Sequence, residues 1–129
     1  MRKAVDAMIR VVPMITVMGT IFFLSHQPSG RLDLPKIPFL DKIGHFAIYG
    51  LLALTVLYIP SQAARLSRPK TIVVVTVLLC TLFGITDEFH QSFVPGRDVS
   101  PADIAADTCG AAAAGLFWLK RRYFGPGFH

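Results

Sequence analysis

The chain has 129 residues, enough for one domain, with 13 Lys or Arg, 8 Asp or Glu and a formal net charge of +5. Hydrophobic residues make up 53% and charged residues 16%, with a mean hydropathy of +0.53, whereas soluble domains carry about a quarter charged residues. This composition excludes an ordinary soluble domain. The two cysteines, Cys80 and Cys109, lie in apolar stretches without metal-ligand or CxxC spacing, so we interpret them as small buried hydrophobic residues.

The first apolar segment, residues 4–25, reads AVDAMIRVVPMITVMGTIFFLS. It is long enough to cross a bilayer if Arg10 extends toward the nearer membrane surface, although Asp6 and Pro13 weaken the pattern. A cleaved signal peptide is the alternative interpretation of a basic start that leads into an apolar run. We expect no cleavage, because no small-x-small site follows Leu24.

Three further apolar segments follow, at residues 43–60, 71–88 and 102–119. A bilayer core about 30 Å thick needs about 20 helical residues, and a chain in lipid must satisfy its own backbone hydrogen bonds, so these lengths predict helices. The sequence therefore predicts an all-α fold, an integral membrane four-helix bundle that forms a single domain over residues 1–129. Three prolines in the linker at residues 26–42 exclude a long helix, and we expect this linker to lie along the outer membrane surface.

Basic residues are distributed unevenly about these segments. Nine of the thirteen lie at the N-terminus, in the link between the second and third segments, or after the fourth: Arg2, Lys3, Arg10, Arg65, Arg68, Lys70, Lys120, Arg121 and Arg122. The positive-inside rule then places both termini and the 61–70 link in the cytoplasm. Seven of the eight acids and three of the four histidines belong to the opposite half. The polar chemistry is therefore predicted to face outward from the cell membrane, which argues against a nucleic-acid-binding protein.

The second segment opens with the sequence DKIGHFAIYG. Asp41, His45 and Tyr49 are spaced i, i+4 and i+8, so a helix places them on one face, from the membrane surface inward. We interpret Asp41 beside Lys42 as an interfacial charge pair of little energetic value. His45 is either a hydrogen-bonded core histidine or a functional group.

The third segment ends in the sequence DEFHQSF. If the helix continues to this point, Asp87, His90 and Gln91 share one face, and Glu88 lies about 100° away around the helix. The VPGR sequence that follows predicts a turn, because proline and glycine both favour one. That turn is expected to bring Arg97 back toward the acids.

The fourth segment begins with the sequence SPADIAAD. Ser100 suits the N-cap, Pro101 the first helical position and Asp103 the third, as in a capping box, so Asp103 has a purely structural alternative. Asp107 lies one turn farther into the apolar helix, where an unpartnered carboxylate costs at least about 2.5 kcal/mol. Arg97 is its predicted partner. We favour a functional site here, with a polar network that only fixes helix packing as the alternative.

Two stretches, DKIGHFAIYGLLAL and DEFHQSFVPGRDVSPADIAADTCGAAAAG, resemble the VanZ-like family of small membrane proteins, and the resemblance covers about residues 25–119. The matching positions are Asp41, Lys42, His45, Tyr49, Asp87, Glu88, Gln91, Phe93, Pro95, Gly96, Arg97 and Asp103. The resemblance implies a cell-envelope protein associated with glycopeptide (teicoplanin) resistance. The family usually has asparagine where this chain has Asp107. A charge or metal role of Asp107 is then particular to this chain, or the position needs only a carbonyl oxygen.

The outward polar site fits more than one function. We favour the binding of an anionic head group, from a membrane lipid or a lipid-linked cell-wall precursor. The residues predicted to contact this head group are Arg97, Lys42, Tyr49 and Gln91. A purely structural membrane protein that acts through partners is one alternative.

The other alternative is a metal-dependent membrane hydrolase or phosphatase that acts on a lipid-linked substrate. Glu88 and His45 are then the candidate general acid and base. A divalent metal ion is the candidate cofactor, and its predicted ligands are Asp87, His90, Asp103 and Asp107. The small residues from Gly110 to Gly115 predict close helix packing and, through it, a homodimer.

Overall fold

A computed structural model describes residues 2–28 and 39–124, with side chains from residue 5 onward. The described residues form five helices and no strand: α1 (Arg2–Ser25), α2 (Leu40–Tyr58), α3 (Gln62–Ser67), α4 (Pro69–Gln91) and α5 (Pro101–Phe124). The predicted all-α fold is therefore confirmed. Most of the linker expected to lie along the membrane surface falls outside the described residues.

Three of these helices are long and apolar enough to cross a membrane: Val5–Ser25, Leu40–Tyr58 and Pro69–Gln91. They correspond to the first three predicted segments. The fourth helix, α5, is long enough but less apolar, because alanines, glycines and two aspartates occupy much of it. Its crossing of the membrane stays a prediction.

Local sequence signals set the helix boundaries. Pro69 occupies the first turn of α4, where its missing N–H costs nothing. Pro101 does the same for α5, and Ser100 directly precedes the helix, as the capping pattern predicts. The predicted link at 61–70 contains a short helix, α3, because the Ser61 side chain accepts a hydrogen bond from the Ala64 backbone N–H at 3.3 Å.

The core forms where α5 packs between α2 and α4. Gly110 allows the closest approach, because an added Cβ there would collide with the backbone carbonyl of Phe46 on α2. Gly115 lies against the Val73 side chain of α4 in the same way. Both glycines therefore serve packing within the chain. A homodimer through α5 stays a prediction, and it would use the opposite, exposed side of this helix, at Leu116 and Phe117.

The outer surface of the protein is strongly apolar. On α4, Leu78 and Leu82 are 58% and 59% exposed, and on α1 Phe22 and Phe23 are similarly open. Contiguous exposed apolar surface on this scale would be unfavourable in water and is typical of a lipid contact. The fold is thus that of a membrane protein.

Helices α1 and α4 run in one direction and α2 and α5 in the other, which collects different side chains at the two ends of the molecule. At one end α1 and α4 finish and α2 and α5 begin; we call it the acidic end, because four buried carboxylates lie there: Asp87, Glu88, Asp103 and Asp107. The other end holds α3 and the last turn of α5. We call it the basic end, after Arg10, Arg65, Arg121 and Arg122.

Candidate functional site

A histidine–carboxylate pair joins α2 to α5 at the acidic end. His45 Nδ1 lies 2.9 Å from Asp107 Oδ1, and the Asp107 side chain is fully buried. The second oxygen, Oδ2, has no hydrogen-bond partner among the described residues. It lies against Gly84 of α4, where a Cβ would come within 2.6 Å of it. Glycine at this position therefore makes room for a carboxylate between the two helices.

Glu88 connects the end of α4 to the start of α5. Its Oε2 accepts a hydrogen bond from the Ser100 backbone N–H at 3.0 Å. In a capping box that N–H is satisfied by the third helical residue, here Asp103. Because Glu88 takes this role, Asp103 is free to point elsewhere. Glu88 is 2% exposed, and its other oxygen, Oε1, has no partner in the described part of the chain.

Lys42 is held between two carboxylates at the N-terminus of α2. Its ammonium nitrogen lies 2.5 Å from Asp103 Oδ1 and 2.7 Å from Asp41 Oδ2. Asp103 is buried, whereas the Asp41 side chain is 62% exposed, so only the pair with Asp103 is shielded from water. The positive charge of Lys42 is therefore already matched by this chain's own acids.

Three side chains from different helices converge beside these pairs. His45, Glu88 and Asp103 each offer a ligand atom, and the three atoms lie within 4.8 Å of one another. One imidazole and two carboxylates form a donor set that suits Zn²⁺ or Mn²⁺. We call these residues the triad. Asp107 supports it through His45, as the carboxylate partners of metal-bound histidines do.

The four predicted metal ligands do not come together. Asp103 belongs to the triad and Asp107 contacts it through His45, but Asp87 and His90 have other neighbours. Asp87 Oδ2 accepts hydrogen bonds from the Ser25 hydroxyl at 2.7 Å and the Gln91 amide at 3.1 Å. The helical spacing predicted that Asp87 and Gln91 share a face, but it could not place that face against α1.

His90 lies on the rim of the acidic end, away from the triad. Its Nε2 is 3.2 Å from His26 Nδ1, and its ring packs against Phe22 with centroids 4.5 Å apart. The contacts of Ser25 and His26 were not predicted from the sequence. Their position at the end of the first apolar segment was the available signal, since all four segments place polar residues at the same membrane boundary.

Arg97 does not contact Asp107, the partner predicted for it. Its guanidinium donates to the backbone carbonyl of Leu24 at 2.8 Å and to that of Gln27 at 3.1 Å. The reason is the turn before it, where Gly96 has a positive φ of 77° and directs the chain over the end of α1. The last carbonyls of a helix have no partner within it, so they attract the guanidinium.

A cavity of about 380 Å³ opens between α1, α2 and α4 beside these groups. Its polar wall includes His45, Asp87, Gln91 and Arg97, and its apolar wall includes Ile21 and Ile48. Tyr49 also lines it; this side chain is fully buried and its hydroxyl has no partner among the described residues. The cavity therefore combines polar atoms that lack a hydrogen-bond partner with an apolar wall.

Comparison with known proteins identifies the family. The family model described as VanZ/LLP1 matches residues 5–122. The chain belongs to the VanZ-like family. It is also 31% identical, over 90 residues, to an uncharacterized protein of Schizosaccharomyces pombe, a match that covers 67% of this chain and 52% of that protein. The VanZ-like chain thus spans about half the length of this curated relative, and no solved structure matches it.

Proposed function

We propose that α5 crosses the membrane with the other three long helices, as a four-helix bundle. The packing of α5 between α2 and α4 supports this arrangement, because a helix of membrane-spanning length in that position is shielded from lipid on two sides. The excess of arginine and lysine at the basic end supports a cytoplasmic location for that end. The acidic end and its cavity then face the outer side of the cell membrane.

We further propose that this VanZ-like protein is a metal-dependent hydrolase of a lipid-linked phosphate ester. The observation that carries the proposal is the triad, where the buried Glu88 holds an unpartnered oxygen beside His45 and Asp103. Among the described residues, the ion contacts of these four buried carboxylates are those of Lys42 with Asp103 and of His45 with Asp107, which leaves an excess of negative charge. A divalent cation would balance that charge.

The same buried carboxylates make the binding of an anionic head group without catalysis a weaker candidate than hydrolysis. Lys42 is shared between two carboxylates, and Arg97 donates to two carbonyls, so the cations expected to hold an anionic head group are partly committed. An anion would enter a site dominated by acids. A bound cation removes this obstacle.

The residues then divide into those that hold the ion and those that act on the substrate. The triad would hold a divalent ion, which supplies Lewis-acid charge and lowers the pKa of a nearby water. Asp107 orients His45 through Nδ1. Arg97 lines the cavity, and a guanidinium has five N–H donors, so it can contact a phosphate as well as the carbonyls.

Asp87 is the candidate general base, and it replaces Glu88 and His45, which the sequence predicted for this role. It lines the same cavity, and its Oδ1 is buried without a partner in the described chain. In hydrolysis the water oxygen bonds to phosphorus and the bond from phosphorus to the leaving oxygen breaks. One water proton stays on the phosphate product, and Asp87 takes the other and returns it to the leaving oxygen.

The shape of the cavity supports a lipid-linked substrate. Its apolar side is formed by Ile21, Leu24, Leu40 and Ile48, and its polar side includes His45, one residue of the triad. A molecule with a phosphate head and an isoprenoid or acyl tail fits this division. Lipids and lipid-linked precursors of the cell envelope have this chemistry.

Phosphate release from defined lipids tests the proposal. The purified protein, supplied with Mn²⁺ or Zn²⁺, should release phosphate from a polyprenyl monophosphate or from phosphatidic acid, and a chelator should stop the release. Asp87→Asn should abolish turnover. Metal binding should persist, because Asp87 is not a residue of the triad and the amide keeps a polar contact to Ser25. Asp98→Asn, at an exposed carboxylate that does not line the cavity, is the matched control and should retain turnover.

Binding without turnover is the second candidate, favoured by Arg97, which lines the cavity, and by Lys42 at the same end of the molecule. On this account the protein sequesters a head group at the membrane surface, and glycopeptide resistance would follow from altered antibiotic access. Saturable lipid binding that is insensitive to chelators, with no phosphate released, would support it over the hydrolase.

A further inference from the structure

We infer that the basic end carries a second site, which binds the phosphate group of an anionic phospholipid. A cavity of about 430 Å³ lies between α3 and the last turns of α5. Its lining residues are Gln62, Arg65, Leu66, Trp118, Arg121 and Arg122. This site is at the opposite end from the triad and does not depend on the proposed hydrolysis.

Two arginines of this cavity, Arg65 and Arg121, have no acidic partner among the described residues. Among the described side chains, Asp6 is the only carboxylate at the basic end, and it lines a separate cavity with Arg10 and Ser61. Within the same described part of the chain, neither Arg65 nor Arg121 forms an ion pair with a carboxylate. Two arginines on different helices therefore present positive charge to one space.

Aromatic rings hold these arginines in place. The Arg65 guanidinium lies 5.6 Å from the ring centre of Tyr58, and that of Arg121 lies 5.9 Å from the ring centre of Phe117. A guanidinium supported on an aromatic face keeps its N–H edge for a bidentate contact, the geometry that phosphate prefers. The two arginines are thus arranged to bind one phosphate group.

The neighbouring surface favours a lipid over free phosphate. Leu66 and Phe117 are 50% and 56% exposed beside the cavity, so an acyl chain could pack on them while its phosphate contacts the arginines. Trp118 also lines the cavity, and tryptophan is enriched where headgroups meet the hydrocarbon core. In the proposed membrane-spanning bundle, on which this inference rests, positive charge and apolar surface meet here at the depth of a lipid headgroup.

Fluorescence of Trp118, the single tryptophan of the chain, tests this inference. The protein is placed in phosphatidylcholine vesicles with increasing phosphatidylglycerol, and quenching by brominated phosphatidylglycerol is compared with quenching by brominated phosphatidylcholine. We expect a preference for phosphatidylglycerol. The double variant Arg65→Gln with Arg121→Gln should lower that preference by about tenfold per arginine, the scale of a lost hydrogen bond to a charged group.

A double variant with the same loss of charge separates the site from general attraction. Lys70→Gln with Lys120→Gln removes two exposed cations that do not line the cavity, so the preference should persist. Equal losses in both double variants, or no preference in the native protein, would overturn the inference. Loss of the preference on adding millimolar inorganic phosphate, at constant ionic strength, would show a free-phosphate site and would also overturn it.

Discussion

Replacement of Glu88 by glutamine separates a metal site from a structural network. The amide keeps an oxygen to accept the Ser100 N–H, so the tie between α4 and α5 persists. It removes one of four buried negative charges that crowd the acidic end. Without added metal we therefore expect the variant to melt at or above the native protein.

With metal the order should reverse. Ligand at about 100 times its dissociation constant stabilises a protein by about 2.7 kcal/mol. An unfolding entropy of about 2.1 cal/mol/K per residue gives about 0.27 kcal/mol/K for 129 residues. Saturating Zn²⁺ or Mn²⁺ should then raise the Tm of the native protein by about 10 °C, and should raise that of Glu88→Gln by much less.

Thermal melting in detergent, with and without these ions, measures both effects, and Asp41→Asn controls for the loss of an exposed carboxylate. An equal ion-dependent rise in native protein and Glu88→Gln would refute the triad as the metal site. A large fall in the Tm of the metal-free variant, by the 3–5 kcal/mol typical of a broken buried pair, would instead make the cluster a structural network.

Three further variants test the packing that positions the site. Gly110→Ala should lower the free energy of unfolding by at least about 1–3 kcal/mol, the cost typical of overpacking, because the added Cβ meets the Phe46 carbonyl. Gly19→Ala is the control, because a Cβ there has no atom within 4 Å and should not destabilise the protein. Melting curves compare the two variants. Ser25→Ala removes the hydroxyl that joins α1 to α4 and should lower the free energy of unfolding by about 1–3 kcal/mol. Hydrogen exchange at the end of α1 should become faster, and unchanged exchange would contradict the contact. Arg97→Ala removes two hydrogen bonds to the last carbonyls of α1 and should speed exchange at the same helix end, with no effect on α5.

Patterns within single segments predicted most of the helices. Apolar length identified α1, α2 and α4, and the capping residues predicted the start of α5 at Pro101. The helix α3 was not predicted, because it depends on one Ser61 cap in a segment without apolar periodicity. The family membership was also predicted from the motifs and is confirmed by the VanZ/LLP1 match.

Contacts between segments were much harder to predict. Periodicity placed Asp87 and Gln91 on one face of α4, but the neighbour of that face depends on how α1 packs. Arg97 was paired with Asp107 from charge alone, whereas the positive φ of Gly96 directs it to backbone carbonyls. Glu88 joins the triad because it takes over the helix-capping role expected of Asp103, an exchange between helices that spacing along one helix cannot reveal.

Counting bound metal tests the central claim most directly. The native protein is loaded with Mn²⁺ or Zn²⁺ in detergent and dialysed, and the metal is then measured per chain beside Glu88→Gln and Asp41→Asn. We predict one ion per chain in the native protein and in Asp41→Asn, and much less than one in Glu88→Gln. No retained ion in the native protein, or equal retention in Glu88→Gln, would contradict the account.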